Sequence, residues 1–381
     1  MQYSPRFRLW LLTAGFALLL WISITKSFVP RPRALGLYLW LTTYQHGFIR
    51  RGLLGTILSP WINYHHQESF HTTLVAIHIV LLVLMAGGCL AFALRLIGQH
   101  HTPAAILFCA TFFCSHFWGT VSFNAAEPDA LLSLLLILVV AIFSWNARLG
   151  FWAGLALLTT GTLIHEMFII SVFPLLAFAI VCSAVSNYGG LSKRSLRLIW
   201  PKALIFLGVA LVVAAVVAIA NTPSEAFRPI FEQAGMPDRL IKNIMNQKLG
   251  QPLPETFIRI TGRWLQVPLN VLMVLVYSLL PSLVMLLLYT LKIRPNIRNT
   301  AGHSPSVDSP NPLARVYDAL FLVSCGGPIF VNLIASDLSR FLQFVNLTTF
   351  LTCYLELMLL SSGRPIHPET LRLANSPHET V

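Results

Sequence analysis

The sequence predicts an all-α fold: a polytopic transmembrane helical bundle of about ten spans, with re-entrant or interfacial helices in its first external loop. Three observations carry this reading. Mean hydropathy is +0.71, 56% of residues are hydrophobic and only 10% are charged. The apolar residues fall in continuous runs, each near the roughly 20 residues that a helix needs to cross hydrocarbon. A soluble core would not tolerate so many segments that are apolar all round, and a barrel would alternate. Finally, basic residues in the short connections collect on one side when the runs are counted off, as the positive-inside rule requires.

The first run, 9–25, follows Arg6 and Arg8. Lys26-Ser27-Phe28-Val29-Pro30 comes next and offers no small-residue cleavage site, so the run reads as a retained span rather than a signal peptide. Residues 34–62 are apolar but broken by His46, Arg50, Arg51 and three glycines, Gly47, Gly52 and Gly55. Broken backbone at membrane depth is tolerated beside protein or a cavity, which favours re-entrant or interfacial helices there. The runs 72–97, 103–119, 129–145, 150–164, 167–186, 199–220, 267–291, 314–335 and 341–361 complete the ten. Residues 1–362 thus form a single transmembrane domain, and the polar tail 363–381 reads as disordered.

With both termini cytoplasmic, the inner side receives Arg6, Arg8, Arg95, Arg148, Lys193, Arg194, Arg197, Lys202, Lys292, Arg294, Arg298, Arg364 and Arg372. The segment 292–312, rich in Pro, Ser and Asn, reads as a flexible cytoplasmic linker. The outer side receives 26–71, the turn 123–129, the His165-Glu166 pair, the long loop 221–266 and the turn Asp337–Arg340. Most polar groups that do not set topology therefore fall on one face, as an extracytoplasmic active site in a helical bundle would require. The net charge of +12 is explained by topology signals and by anionic lipid or phosphate ligands, since nothing resembles a nucleic-acid module. The six cysteines lie in apolar runs without metal-ligand spacing and read as small core residues.

Four groups carry candidate chemistry. In 44–55, Tyr-Gln-His-Gly-Phe-Ile-Arg-Arg-Gly-Leu-Leu-Gly, paired guanidiniums of Arg50 and Arg51 suit bidentate bonds to phosphate, with His46 beside them. The competing reading is an interfacial helix whose arginines snorkel to headgroups. Glu127 and Asp129, separated by Pro128 and joined by Asn124, can supply a general base or hold a divalent cation. Helix capping by Asp129 is the alternative. His165 and Glu166, apolar on both sides, form a candidate acid–base pair; Ile169 stands where a zincin motif would have its second histidine. Asp337 and Arg340 either pair on a helix surface or present Arg340 to the site with Asp337 orienting it.

Other polar groups draw blander readings. Asn332 and Asn346 can line the site or bond across helices. Pro237–Leu249 reads as an amphipathic helix on the outer leaflet, with Lys242 and Lys248 toward headgroups. Asp318 can pair with nearby Arg315, and Glu356 calls for a buried partner.

The order Gly-Phe-Ile-Arg-Arg-Gly-Leu-Leu-Gly, an external acidic turn, an internal His-Glu and a late Asp-x-x-Arg resembles the GT-C class of bacterial membrane glycosyltransferases and the related O-antigen-type polysaccharide polymerases. The resemblance implies sugar transfer at the outer face of the bacterial inner membrane. The donor would be a polyprenyl-(di)phosphate-linked sugar and the acceptor a saccharide or lipid, with no cofactor; the carboxylates of Glu127 and Asp129 by themselves leave room for a divalent cation. Many GT-C enzymes carry the activating acid in the first external loop. Here that loop offers only Glu68, so Glu127, Asp129 or Glu166 takes the role. Polymerases lean on external arginines, which matches Arg50, Arg51 and Arg340. The rival classes are a flippase or other transporter and a non-catalytic envelope assembly subunit.

Overall fold

In the computed structural model, the apolar runs are helical because their side chains match hydrocarbon or one another while every interior backbone group bonds within its own helix. The structure describes residues 5–29, 34–46, 52–60, 67–100, 102–123, 125, 127–165, 168–188, 193–219, 225–245, 268–295, 312–329 and 338–361. These contain helices and turns and no strand. In chain order the helices are α1 Pro5–Thr25, α2 Ala34–Leu41, α3 Leu53–Leu58, α4 Gln67–His100, α5 Pro103–Phe113, α6 His116–Phe123, α7 Asp129–Trp145 and α8 Ala147–Ile164. There follow α9 Phe168–Tyr188, α10 Lys193–Ile219, α11 Arg228–Gln233, α12 Asp238–Met245, α13 Pro268–Leu288, α14 Pro312–Gly326 and α15 Leu338–Ser361. Among the described residues, six helical segments are long and apolar enough to cross a membrane, and three shorter apolar helices accompany them. Among the described residues the protein is all-helical, with the apolar helices of a multi-pass membrane protein.

Short connections fold the helices back on their neighbours. Asn146 ends α7 and starts α8, its Oδ1 accepting from the Arg148 and Leu149 amides at 3.0 Å, which satisfies two otherwise unpaired donors. Thr102 caps α5, with Pro103 at the first helical position. Gly150 lets α8 close on α7, because a Cβ there would stand 2.6 Å from the Phe143 Cα. Helix α15 lies at the centre, with every residue from Phe344 to Leu359 buried. Phe350 stacks on Phe112 at 4.2 Å, and Tyr354 stacks on Phe92 at 4.1 Å. By contrast, α1 and α10 present Trp10, Leu11, Trp21, Trp200, Leu211 and Val212 on their surfaces, as helices facing lipid do.

The bundle has two polar ends. At one, α4 and α15 finish together, with Ser361 bonded to Gln99, and Arg294, Asp318 and Glu356 meet. At the other lie the end of α1, the start of α4, the end of α6 and the start of α7. We refer to these as the Arg294 end and the Pro128 end.

Four sequence expectations need correction here. The chain is still helical at Arg294, a five-residue π-helical turn Tyr289–Ile293 continuing α13, so the linker starts later than residue 292. Arg294 itself is buried rather than a free topology charge. The amphipathic segment forms α12 over Asp238–Met245, and it buries Ile241 and Ile244 in protein, not lipid. Arg239 and Lys242 remain exposed, while Lys248 lies outside the described residues. Among the cysteines Cys114 is exposed; the other five are buried, and all six are free.

Candidate functional site

At the Pro128 end, a tight turn sets two carboxylates into the protein. Pro128 occupies the N-cap of α7 without a side-chain cap, and its carbonyl accepts the first helical bond from Leu132 at 2.8 Å. Asp129 is therefore the first helical residue, not the capping residue. Its charge complements the helix N-terminus, but only 2% of it is exposed. Glu127 is buried as well. A surface cap would be left in water, so burial of both acids is the feature that calls for explanation.

His165 closes α8 in an extended conformation, its amide bonded to the Gly161 carbonyl at 2.8 Å. Its own carbonyl accepts from Phe168 at 2.9 Å and opens α9. Gly161 permits this turn, since a Cβ there would run into the Phe168 ring. His165 is buried. Because α7 starts and α8 ends at the same end of an antiparallel pair, Asp129 and His165 share that end of the bundle.

A helical hairpin of α2 and α3 flanks the arginine pair in sequence. Thr56 Oγ1 accepts from the Tyr44 amide at 2.7 Å and donates to the Gly52 carbonyl at 2.7 Å. Gly55 lies directly on the Thr42 carbonyl. These contacts fasten α3 to the end of α2, and α3 also packs against α8, the helix that His165 ends. Burial pushes the Tyr44 phenol above its ordinary pKa. His46 lies in the 3-10 turn Tyr44–His46, and Arg340 in the first turn of α15. Arg50, Arg51, Asn124, Glu166 and Asp337 lie outside the described residues, as does Asn332.

A small helical unit sits beside this end. Helix α11 stops at a Schellman turn: Gly235, with φ 76°, bonds the Glu232 carbonyl, and Met236 bonds the Phe231 carbonyl, both at 3.0 Å. The freed Ala234 carbonyl accepts from His71 Nε2 of α4 at 3.2 Å. Phe227, Phe231 and Ala234 are fully buried, and α11 packs against α2. Residues 225–245 of the long loop are thus docked on the bundle.

Sequence reasoning missed His78. It lies on α4 with 2% exposure, and Asp129 is close enough for its charge to act on the ring. The signal was present in the buried stripe Leu74, His78, Leu82, Met85, Cys89, Ala93 and Leu96, where one imidazole interrupts an apolar row. Asn346 takes its blander role, accepting from Ser282 across helices at 2.6 Å. Among the described residues, no group of three or more His, Cys, Asp or Glu is placed to hold a metal ion; Glu127 and Asp129 supply two acids.

No family model, no curated protein and no solved structure matches the chain.

Proposed function

We propose that the protein transfers a sugar from a polyprenyl-(di)phosphate-linked donor to a saccharide or lipid acceptor, at the outer face of a bacterial inner membrane. The observation that carries this reading is the burial of Glu127, Asp129 and His165 together at one end of an apolar bundle. Ionisable groups in that setting are costly and mark functional sites. In this reading about ten spans place the Pro128 end outside, and 34–62 dips into the membrane beside the site. Arg50, Arg51 and Arg340, with His46, hold the donor phosphate and stabilise charge on the leaving group. Asp337 orients Arg340, and Asn124 bonds the sugar. Glu127, Asp129, His165 or Glu166 takes the proton of the attacking hydroxyl as the new glycosidic bond forms and the sugar–phosphate bond breaks.

The test replaces Arg51 with Ala, Glu127 with Gln and Asp129 with Asn, then measures surface glycan and lipid-linked intermediates. Loss of glycan with build-up of polyprenyl-linked units on the outer leaflet is expected. Normal glycan in all three variants overturns the site.

A second reading, a flippase or other transporter, draws on the ionic cluster at the Arg294 end, because intramembrane charge pairs also line transport pathways. It predicts build-up of the donor on the cytoplasmic leaflet instead.

A further inference from the structure

Between residues 130 and 224 the chain carries five Lys or Arg and a single acid, Glu166, which follows His165 in sequence. All five cations, Arg148, Lys193, Arg194, Arg197 and Lys202, belong to α8 and α10, and neither helix has a carboxylate. The two helices pack against each other. Both start at the Arg294 end, since α8 finishes at the Pro128 end and α9, which returns from there, leads into α10. Positive charge therefore gathers at the paired starts, with no acid on either helix to neutralise it.

One aromatic ring fixes how two of these cations meet. Lys202 Nζ reaches from α10 across to α8 and stands 5.9 Å from the centroid of the Phe151 ring, within the range at which a ring face attracts a cation. Arg148 precedes Phe151 by three residues, which makes it the neighbour of that ring on the same face of α8. Both cations are exposed, and among the described residues neither makes an ion pair with an acid. Two like charges drawn to one ring from separate helices repel each other until an anion lies between them.

The surroundings name the source of that anion. Trp152 follows Phe151 and meets it edge-on at 5.1 Å, and Trp200 precedes Lys202 by two residues. These tryptophans are 56% and 66% exposed, and Leu149 and Leu204 beside them are exposed too. Exposed tryptophans on spanning helices sit at the level of lipid headgroups. A soluble phosphate gains nothing from such an apolar border. A phospholipid sets its phosphate on the cations and lays its chains along the leucines. A zwitterionic headgroup brings its own cation, so the site favours a lipid of net negative charge.

We propose that the starts of α8 and α10 form a binding site for one anionic phospholipid, with Arg148 and Lys202 on its phosphate and Trp152 and Trp200 at the level of its glycerol. The site lies at the opposite end of the bundle from Glu127, Asp129 and His165, and it does not depend on the transfer reading.

The test is native mass spectrometry of the full chain in a non-ionic detergent, titrated with phosphatidylglycerol or with phosphatidylcholine. Phosphatidylglycerol is retained as one tight adduct, and phosphatidylcholine is not. Arg148→Gln and Lys202→Gln each weaken that adduct about fivefold, the scale of one cation beside an anionic headgroup. Lys202→Arg keeps it. Arg197→Gln is the control: it also replaces an exposed cation of α10, but one that points about 140° away from Lys202 around the helix, and the adduct keeps its wild-type strength. Phosphatidylglycerol held no more tightly than phosphatidylcholine overturns the proposal, as does an unchanged adduct in both Arg148→Gln and Lys202→Gln. An equal loss in Arg197→Gln overturns it too, leaving only general attraction to a basic surface. Displacement of the adduct by soluble glycerol phosphate makes the cations a free-phosphate site instead and ends the lipid assignment.

Discussion

Arg294 and Glu356, 62 residues apart in the chain, meet on a single oxygen: Arg294 Nε and Nη2 both donate to Glu356 Oε1, at 3.0 and 2.9 Å. The Tyr317 hydroxyl donates to that same oxygen at 3.0 Å, and Arg294 Nη2 also pairs with Asp318 at 2.7 Å. Glu356 is fully buried and the guanidinium lies over the Phe321 ring at 4.8 Å. The cluster therefore ties the end of α13 to α14 and α15, in place of the local Arg315 partner that the sequence offered for Asp318.

Breaking this pair is more damaging than replacing it. Arg294→Ala leaves the Glu356 carboxylate buried without its cation, and about 3–5 kcal/mol of stability should be lost. The double replacement Arg294→Met with Glu356→Leu removes both charges and should recover most of that. Reversible unfolding in mixed micelles, compared across wild type, single and double variants, measures the difference. A single variant as stable as wild type would show that water reaches the cluster.

Gly55 should tolerate no side chain. A Cβ there would strike the Thr42 carbonyl oxygen and stand 2.8 Å from the Thr42 carbonyl carbon and 2.9 Å from the Trp40 oxygen. These are backbone atoms that cannot swing aside, so Gly55→Ala should cost about 1–3 kcal/mol by overpacking and part α3 from α2. Gly87→Ala and Gly98→Ala meet nothing within 4 Å and serve as controls. In a helix interior alanine should match or improve on glycine by up to about 1 kcal/mol. Thermal melting of the three variants in one detergent gives the comparison.

Much of this fold was legible because hydropathy is a local property. The runs at 9–25, 129–145 and 150–164 correspond to α1, α7 and α8 within a few residues. The turn at Pro128 and the break at His165 were visible as polar interruptions. What escaped were the properties created by packing. Arg294 looked like one more inner-side cation because its sequence neighbours are Lys292 and Pro295; only the fold brings Glu356 to it. His78 was passed over because an isolated histidine in a span has no local partner, and Asp129 lies on another helix. The face of α12 turned to protein was read as turned to lipid, since its periodicity is the same in both cases.

The docked unit over α11 and α12 should loosen without harming the bundle. Gly235 has a positive φ that an L side chain adopts at a cost of about 1 kcal/mol or more, so Gly235→Ala strains the Schellman turn. His71→Ala removes the bond to the Ala234 carbonyl. Both variants should exchange the amides of 225–245 faster while those of α7 and α15 stay protected, because local opening draws on few contacts. Hydrogen exchange read by mass spectrometry resolves this. Equal deprotection of α15 would show that the unit and the bundle open together.

Asp129 offers the sharpest separation of function from stability. The residue is buried at the start of α7, where its charge gains from the helix N-terminus but loses its hydration. Were it kept for stability, Asp129→Asn should lower the melting temperature and leave glycan unchanged, with Asp129→Leu worse than Asn. Were it kept for chemistry, Asn should hold the fold while transfer falls at least about 100-fold, the scale of a lost general base. Leu, close in volume to its apolar neighbours, should then match or exceed wild-type stability and be equally inactive, since active sites give up stability for function. The same comparison for Glu127→Gln shows which carboxylate receives the proton. The acid whose amide folds normally yet transfers nothing is the base, and the acid whose amide keeps most of the activity is the neighbour that shapes the turn.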